Sequence, residues 1–159
     1  MSEVDIVGFQ DQFAEDFGRL NYEWIEKSYG IEDHDHEVLD RPLESVVDLG
    51  GQIFFAVKGG VAIGTVAMIP YGEVSFELAK MAVAPEARGH GVGDKLMEAC
   101  VEFARSKGAA TIILESNTKQ EAAINLYRKF GFKKIPLDPN SHFVRANIRM
   151  ELAISDLNK

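Results

Sequence analysis

Only one cysteine, Cys100, occurs in the 159 residues, so no disulfide can close within the chain. A solitary thiol suits a reducing compartment, and cytoplasmic localisation is the expectation. Basic residues are in deficit: 17 lysines and arginines stand against 25 aspartates and glutamates, a net charge of −8. Such a chain repels phosphate backbones, so nucleic acid is a poor partner, whereas a cationic small molecule or an amine-bearing protein suits it. Long apolar runs are missing as well. The stretch Ile53–Val57 is strand-sized, far below the roughly 20 residues that cross a bilayer, and no membrane partner is expected. The first residues, Met-Ser-Glu-Val-Asp, lack the basic patch and apolar run of a secretory signal. Repeats, low-complexity segments and linkers are also lacking, which points to a single domain over 1–159.

What is present is enough apolar material, 46% of the chain, to build a core without staples. A short strand is expected over 4–8. Phe9, Phe13, Phe17, Leu20 and Trp24 then recur at helical spacing, with Gly30 as a stop. The run Glu32 to Glu37 is a polar connection or a helix start. Asp40 is expected to cap a second short helix, with Pro42 in its first turn and Gly50-Gly51 at its end. Three extended runs follow: Gln52 to Val57, Val61 to Ile69 stopped by Pro70, and Val74 to Val83 stopped by Pro85. Lys58-Gly59-Gly60 makes the first turn of this antiparallel meander. Leu96, Met97, Cys100, Phe103 and Ala104 then mark one stripe of a helix ended by Gly108. A buried-type strand over Ala110–Leu114, a helix over Lys119–Phe130 and a short strand over Phe132–Ile135 come next. Strict alternation of Val144, Ala146, Ile148, Met150 and Leu152 with polar residues marks the last strand. The fold class is therefore α/β, with an antiparallel first half.

The most informative segment is Ala84 to Leu96, APEARGHGVGDKL, which joins a strand to a helix through Arg88-Gly89-His90-Gly91-Val92-Gly93. The first N–H groups of a helix have no intrahelical partner, and the helix dipole makes that end positive. Glycines let backbone approach an anion closely, so the junction is a phosphate cradle. The dinucleotide fingerprint G-x-G-x-x-G fails, because its last glycine would fall on Asp94 or Leu96. The nucleotide-triphosphate loop fails at Lys95, which no glycine precedes and Leu96 follows.

What remains, R-x-x-G-x-G at Arg88, Gly91 and Gly93, resembles the signature of the GNAT superfamily of acetyltransferases, [QR]-x-x-G-x-[GA], which binds the pyrophosphate of acetyl-CoA. Two further blocks carry the resemblance. FELAKMAV, Phe76 to Val83, is similar to the family strand that pairs with the pantetheine arm. ATIILES followed by Asn117, then AAINLYRKFGF with Tyr127 ahead of Gly131-Phe132, matches the family's next strand, asparagine and tyrosine-bearing helix. The match is firm over roughly 52–135 and follows element order along the whole chain.

The resemblance implies a mixed sheet of about seven strands with four helices, splayed between the fourth and fifth strands. It implies that Met81, Ala82 and Val83 hold the pantetheine, with N–H groups near Met81 or Ala82 polarising the thioester oxygen. Arg88, Gly89, His90, Gly91, Val92 and Gly93 would cradle the pyrophosphate, and Asn117 would add a polar contact. Tyr127 would protonate the departing thiolate. An amine with a pKa of about 10.4 is mostly protonated at neutral pH, so a base helps. Glu77, on the strand leading to the reaction centre, is the candidate, the alternative being an ordinary strand carboxylate that at most orients the acceptor.

Other residues have blander readings. Cys100 lies on the apolar stripe of its helix and reads as core, not as the carrier of an acetyl intermediate. His90 occupies a variable position of the loop. His34 and His36 among Asp33, Asp35 and Glu37 match no standard metal spacing and read as a solvated connection, so no metal is expected. Trp24, Tyr29 and this acidic stretch could wall an acceptor pocket, as the first helices do in the family. The resulting expectation is a GNAT-like N-acetyltransferase that moves acetyl from acetyl-CoA to a primary amine of a small molecule in a ternary complex. Transfer to a protein or peptide amine is the alternative, and a non-catalytic acyl-CoA-binding sensor is the rival of another class. GNAT domains often pair, so the resemblance allows a homodimer.

Overall fold

A computed structural model describes residues 3–141 and 145–155. Its elements are β1 (Asp5–Val7), α1 (Ala14–Ser28), α2 (Asp33–Leu39), β2 (Gln52–Lys58), β3 (Val61–Tyr71), β4 (Ser75–Val83), α3 (Val92–Ser106), β5 (Thr111–Ser116), α4 (Glu121–Lys129), β6 (Lys133–Ile135) and β7 (Ile148–Ala153). The strands form one seven-stranded sheet in the order β1-β2-β3-β4-β5-β7-β6. Every neighbouring pair is antiparallel except β4 and β5.

Local chemistry explains the hairpin at the centre. Lys58 pairs with Val61 across Gly59-Gly60, and both glycines have positive φ, 58° and 80°. That is the two-residue turn whose twist suits a hairpin. Side-chain alternation then places the helices. Phe54 meets Phe103 of α3, with ring centroids 6.0 Å apart, while Phe55 meets Phe13 just ahead of α1 at 5.4 Å. Consecutive strand residues point to opposite faces, so α1 and α3 cover opposite sides of the sheet. Phe17, Phe55, Ile53 and Met68 are fully buried, as are Leu96, Met97 and Cys100 of α3.

Two irregularities shape the middle of the sheet. β4 and β5 stay paired only at Ser75↔Thr111, Phe76↔Ile112 and Glu77↔Ile113, after which they part. On its other side, β4 shifts register against β3 between Ala67↔Ala79 and Thr65↔Ala82, so Val66 faces both Lys80 and Met81. Lys80 takes φ +56° there, the one positive φ outside glycine among the described residues. A side chain in that region costs roughly 1–2 kcal/mol, so surrounding contacts must hold it.

Several expectations need correction. Asp40 does not cap a second helix; its N–H donates to the His36 carbonyl at 3.1 Å and closes α2, while its carboxylate accepts from the Tyr22 hydroxyl. The helix starts earlier instead, through a capping box in which Glu32 and Asp35 exchange backbone and side-chain contacts. Pro42 leads into a single π turn, Leu43–Val47. Pro70 does not stop β3, which runs on to Tyr71. Pairing with β2 has already ended at Gln52↔Met68, leaving β4 as the only ladder neighbour there, and a missing N–H is tolerated at such an edge. β7 starts at Ile148, later than the alternation suggests; Val144 lies outside the described residues. Asn147 is occupied instead in tying the chain to the end of β5: its N–H donates to the Ser116 carbonyl at 2.9 Å, and its Oδ1 accepts the Thr118 N–H at 2.9 Å.

Candidate active site

Where β4 and β5 part, the sheet opens into a cleft of about 430 Å³. β4 supplies Glu77 through Val83, β5 and the following turn supply Glu115, Ser116 and Asn117, and α4 supplies Leu126 and Tyr127. Arg88 and Gly93 of the glycine loop line it as well, as do Trp24 and Tyr29 of the α1 end and Arg145. A wedge between diverging strands leaves one edge of each strand without its ladder, and an extended ligand with amides can complete it.

Strand parity identifies the exposed groups. The Ala84 N–H donates to the Ile63 carbonyl of β3 at 2.8 Å. Alternation turns the Ala82 N–H the same way and the Met81 and Val83 N–H groups the other way, toward the wedge. The sequence expectation allowed either Met81 or Ala82 for the polarising amide; alternation turns the Met81 N–H, and not that of buried Ala82, toward the wedge.

The glycine loop has the form a phosphate cradle needs. Gly91, with φ 77° and ψ 13°, is the N-cap of α3 and offers no side-chain cap to the first-turn N–H groups. Gly89 has φ 81°. A Cβ at either would meet nothing within 4 Å, so the requirement is backbone conformation and not space. Gly93 has a different reason: a Cβ there would lie 3.2 Å from Leu126 of α4. Arg88 is exposed and its Nε donates to the Val83 carbonyl at 3.2 Å, which keeps the guanidinium at the mouth. His90 is exposed on the loop and Val92 is buried beneath it. Asp94 of α3 and Lys129 of α4 pair at 2.5 Å and tie the two helices beside the wedge.

Tyr127 is buried, its ring 5.8 Å from that of Phe132, and it lines the cleft. Among the described residues its hydroxyl has no hydrogen-bond partner, yet it is not sealed from the cleft. Burial pushes the phenol up to about 12, with the nearby Cys100 thiol adding to the effect. The thiol of Cys100, fully buried, is itself pushed far upward by desolvation, which keeps it an inert core residue. Asn117 lines the cleft, but its side chain is partly committed: Oδ1 accepts the Lys119 N–H at 2.9 Å and Nδ2 donates to the Arg145 carbonyl at 2.8 Å. It braces the turn between β5 and α4 and keeps one N–H for a ligand.

Two features escaped the sequence reading. Glu115 lines the cleft with Oε1 accepting the Ser141 hydroxyl at 3.0 Å, while Oε2 is buried with no partner among the described residues. A carboxylate directly after the apolar run Ile112–Leu114 was the available signal. Asp35, read as part of a solvated connection, is fully buried. It pairs with Lys80 at 2.5 Å and accepts two bonds from Arg145 at 2.7 and 3.1 Å. Those partners hold its carboxyl well below the usual carboxylate range despite burial, which acts the other way. Burial holds the Lys80 ammonium below its ordinary value, with Asp35 opposing the shift. Of the acidic stretch, neither Asp33 nor Glu37 lines the cleft, and Asp35 is already paired. Trp24 and Tyr29 do line it, with rings 6.2 Å apart edge to face, and Gln120 donates to the Tyr29 hydroxyl at 3.0 Å.

Comparison with known proteins agrees with this geometry. The pattern of the Acetyltransferase (GNAT) family matches residues 19–132. The chain is 33% identical over 92 residues to N-acetyltransferase 8B of Rattus norvegicus, a match covering 55% of this chain and 41% of that protein. It is 30% identical over 96 residues to N-acetyltransferase 8F1 of the same species, covering 57% and 43%. These matches span only about two-fifths of the relatives' length. Among solved structures, a GNAT acetyltransferase of Staphylococcus aureus Mu50 superposes with a TM-score of 0.86 at 18% identity, covering 96% of this chain and 99% of that one. The yncA protein of Salmonella typhimurium, solved with its cofactor acetyl-CoA, gives a TM-score of 0.73 at 16% identity over 95% and 94%. The family pattern extends from α1 through the wedge, the glycine loop and α4, and the chain belongs to the GNAT acetyltransferase family.

Proposed function

We propose that this chain transfers an acetyl group from acetyl-CoA to a primary amine of a small molecule, by direct attack within a ternary complex. The observation that carries the proposal is the coincidence of three features at one opening. They are first-turn amides behind a left-handed Gly91 with no side-chain cap, a β4 edge on which alternation turns the Met81 and Val83 N–H groups inward, and a buried phenol whose hydroxyl has no partner among the described residues.

The residues fit acetyl-CoA as substrate. The amides of 89–93 and the Arg88 guanidinium would hold the pyrophosphate, and the open edge of β4 would pair with the amides of the pantetheine arm. The Met81 N–H would meet the negative charge that develops on the thioester oxygen. The amine nitrogen then forms a bond to the carbonyl carbon, the carbon–sulfur bond breaks, and sulfur keeps the electron pair. Tyr127 would give its proton to that sulfur. A phenol raised to about 12 by burial remains a usable donor, because the same dry surroundings raise the basicity of a thiolate; Cys100 shows that effect on a thiol of the same interior.

The proton leaving the amine goes to a carboxylate, directly or through water. Glu77, at the last paired position before the strands part, is the proposed base. A second reading gives that role to Glu115, because its Oε2, at the facing strand, is buried and has no partner among the described residues. Separate Glu77→Gln and Glu115→Gln substitutions decide: loss of the base lowers kcat about 10²-fold or more, while loss of the other carboxylate leaves kcat within about threefold.

The test of the whole reading is thiol release from acetyl-CoA against polyamines, amino acids, aminoglycosides and peptides. An acetylated small amine supports it. Acetylation of peptides alone gives the role to a polypeptide acceptor, and coenzyme binding without any product favours a sensor.

A further inference from the structure

We propose that Asp35 is a positioning residue for acetyl transfer: pinned to Lys80, it holds the left-handed bulge of β4 that aims the Met81 amide into the wedge. Asp35 matters in this way only if the cleft performs the transfer proposed above.

Lys80 sits where the β3–β4 register shifts, with φ +56°. Lysine does not occupy that region readily, so the conformation depends on what its side chain grips. The grip is a buried ion pair. Lys80 Nζ lies 2.5 Å from Asp35 Oδ1, with the two side chains 5% and 0% exposed. Asp35 is fixed in turn from two other directions. Its Oδ2 accepts the Glu32 N–H at 2.8 Å, which locks it to the start of α2. Arg145, from the connection between β6 and β7, donates to both its oxygens and to Glu32 at 3.1 Å. One carboxylate thus joins α2, β4 and the β6–β7 connection, and Met81 is the next residue after the one it holds.

Direct contact with an acceptor is excluded by burial: Asp35 is fully covered and does not line the cleft, whereas Lys80 and Arg145 do. Its influence on the reaction must pass through the backbone it restrains.

Glycine separates conformation from charge, because it adopts positive φ without a side chain to hold it. The full-length variants Asp35→Asn, Lys80→Gly and the double variant are compared with wild type. The readouts are ¹H–¹⁵N amide positions with and without acetyl-CoA, and thiol release with the amine that reacts in the panel above. In Asp35→Asn the Met81 amide shifts, the amides of 89–93 still saturate with acetyl-CoA, and kcat falls about tenfold or more while KM for acetyl-CoA stays within about threefold. In the double variant the Met81 amide returns and kcat recovers to within about threefold of wild type, although the ion pair is still missing.

An unchanged Met81 amide and kcat in Asp35→Asn would overturn the proposal, as would a double variant no faster than Asp35→Asn. Should Asp35→Asn not fold, Lys80→Ala and Lys80→Gly decide together: a slow Lys80→Ala with a displaced Met81 amide, both restored in Lys80→Gly, supports the proposal, and two variants that behave alike overturn it. If wild type itself neither binds acetyl-CoA nor releases thiol, the functional reading fails, and the Met81 amide still judges the contact with the bulge.

Discussion

Replacing Tyr127 by phenylalanine removes one oxygen and little else. The ring keeps its contact with Phe132, and the hydroxyl lost has no partner among the described residues. Deleting an unpartnered polar atom from a buried position leaves no orphaned group behind, so stability should change by less than about 1 kcal/mol. Chemistry should change far more. Loss of a general acid lowers kcat by about 10²- to 10⁴-fold, and KM for acetyl-CoA should hold because the pyrophosphate contacts lie elsewhere. Burial also sets the pH behaviour. With the phenol pushed up to about 12, wild-type kcat should show no basic limb from this group below roughly pH 11. Steady-state thiol release from pH 6 to 10, with urea unfolding of both proteins, measures all three quantities. A kcat within threefold of wild type at unchanged stability would refute the assignment of Tyr127 as proton donor. A large fall in stability would show that the hydroxyl has a structural role.

Other consequences follow from single positions. Gly91→Val forces a branched side chain into φ 77°, so calorimetry should find acetyl-CoA bound about tenfold or more weakly, and Gly91→Asn, which tolerates that region better, should lose less. Gly51→Ala would bring a Cβ to 2.2 Å from the Met68 carbonyl oxygen, and chemical denaturation should show a loss of about 1–3 kcal/mol or more from this overpacking. Cys100→Ala should cost about 1 kcal/mol by lost burial but leave kcat unchanged, since a thiol held protonated by burial carries no acetyl group. Asp35 is depressed in the folded chain and ordinary when unfolded, so its contribution to stability is present above about pH 4 and fades as pH falls below that. Acid unfolding of Asp35→Asn should lack that component.

How far the sequence could be read depends on how local each determinant is. The glycine loop was legible because its chemistry lies within six consecutive residues, and Gly91 needs glycine for its own φ. The hairpin at Gly59-Gly60 was legible for the same reason. The family's spacing points to Tyr127 and Asn117, and both line the cleft, although the structure gives much of Asn117 to bracing its own turn. Asp35 was misread because a charged residue inside DHDHE looks solvated. Its partners are 45 and 110 residues away, and no local pattern announces a partner at that distance. The bulge at Lys80 was hidden likewise, since lysine is not a residue that signals positive φ. Pro70 reads as a strand end because the pattern cannot show that β2 stops short of it. Glu115 carries no reading in the sequence; only the packing reveals its buried Oε2 without a partner among the described residues.

The account rests on the pyrophosphate of acetyl-CoA settling on the amides at the start of α3. Titration of ¹⁵N-labelled protein with acetyl-CoA, followed at the amides of 89–93 and at Met81, tests this most directly. Saturable one-to-one shifts at both places are predicted, with the loop amides moving also for coenzyme A lacking the acetyl group. Absence of shifts in the loop of well-folded protein would contradict it.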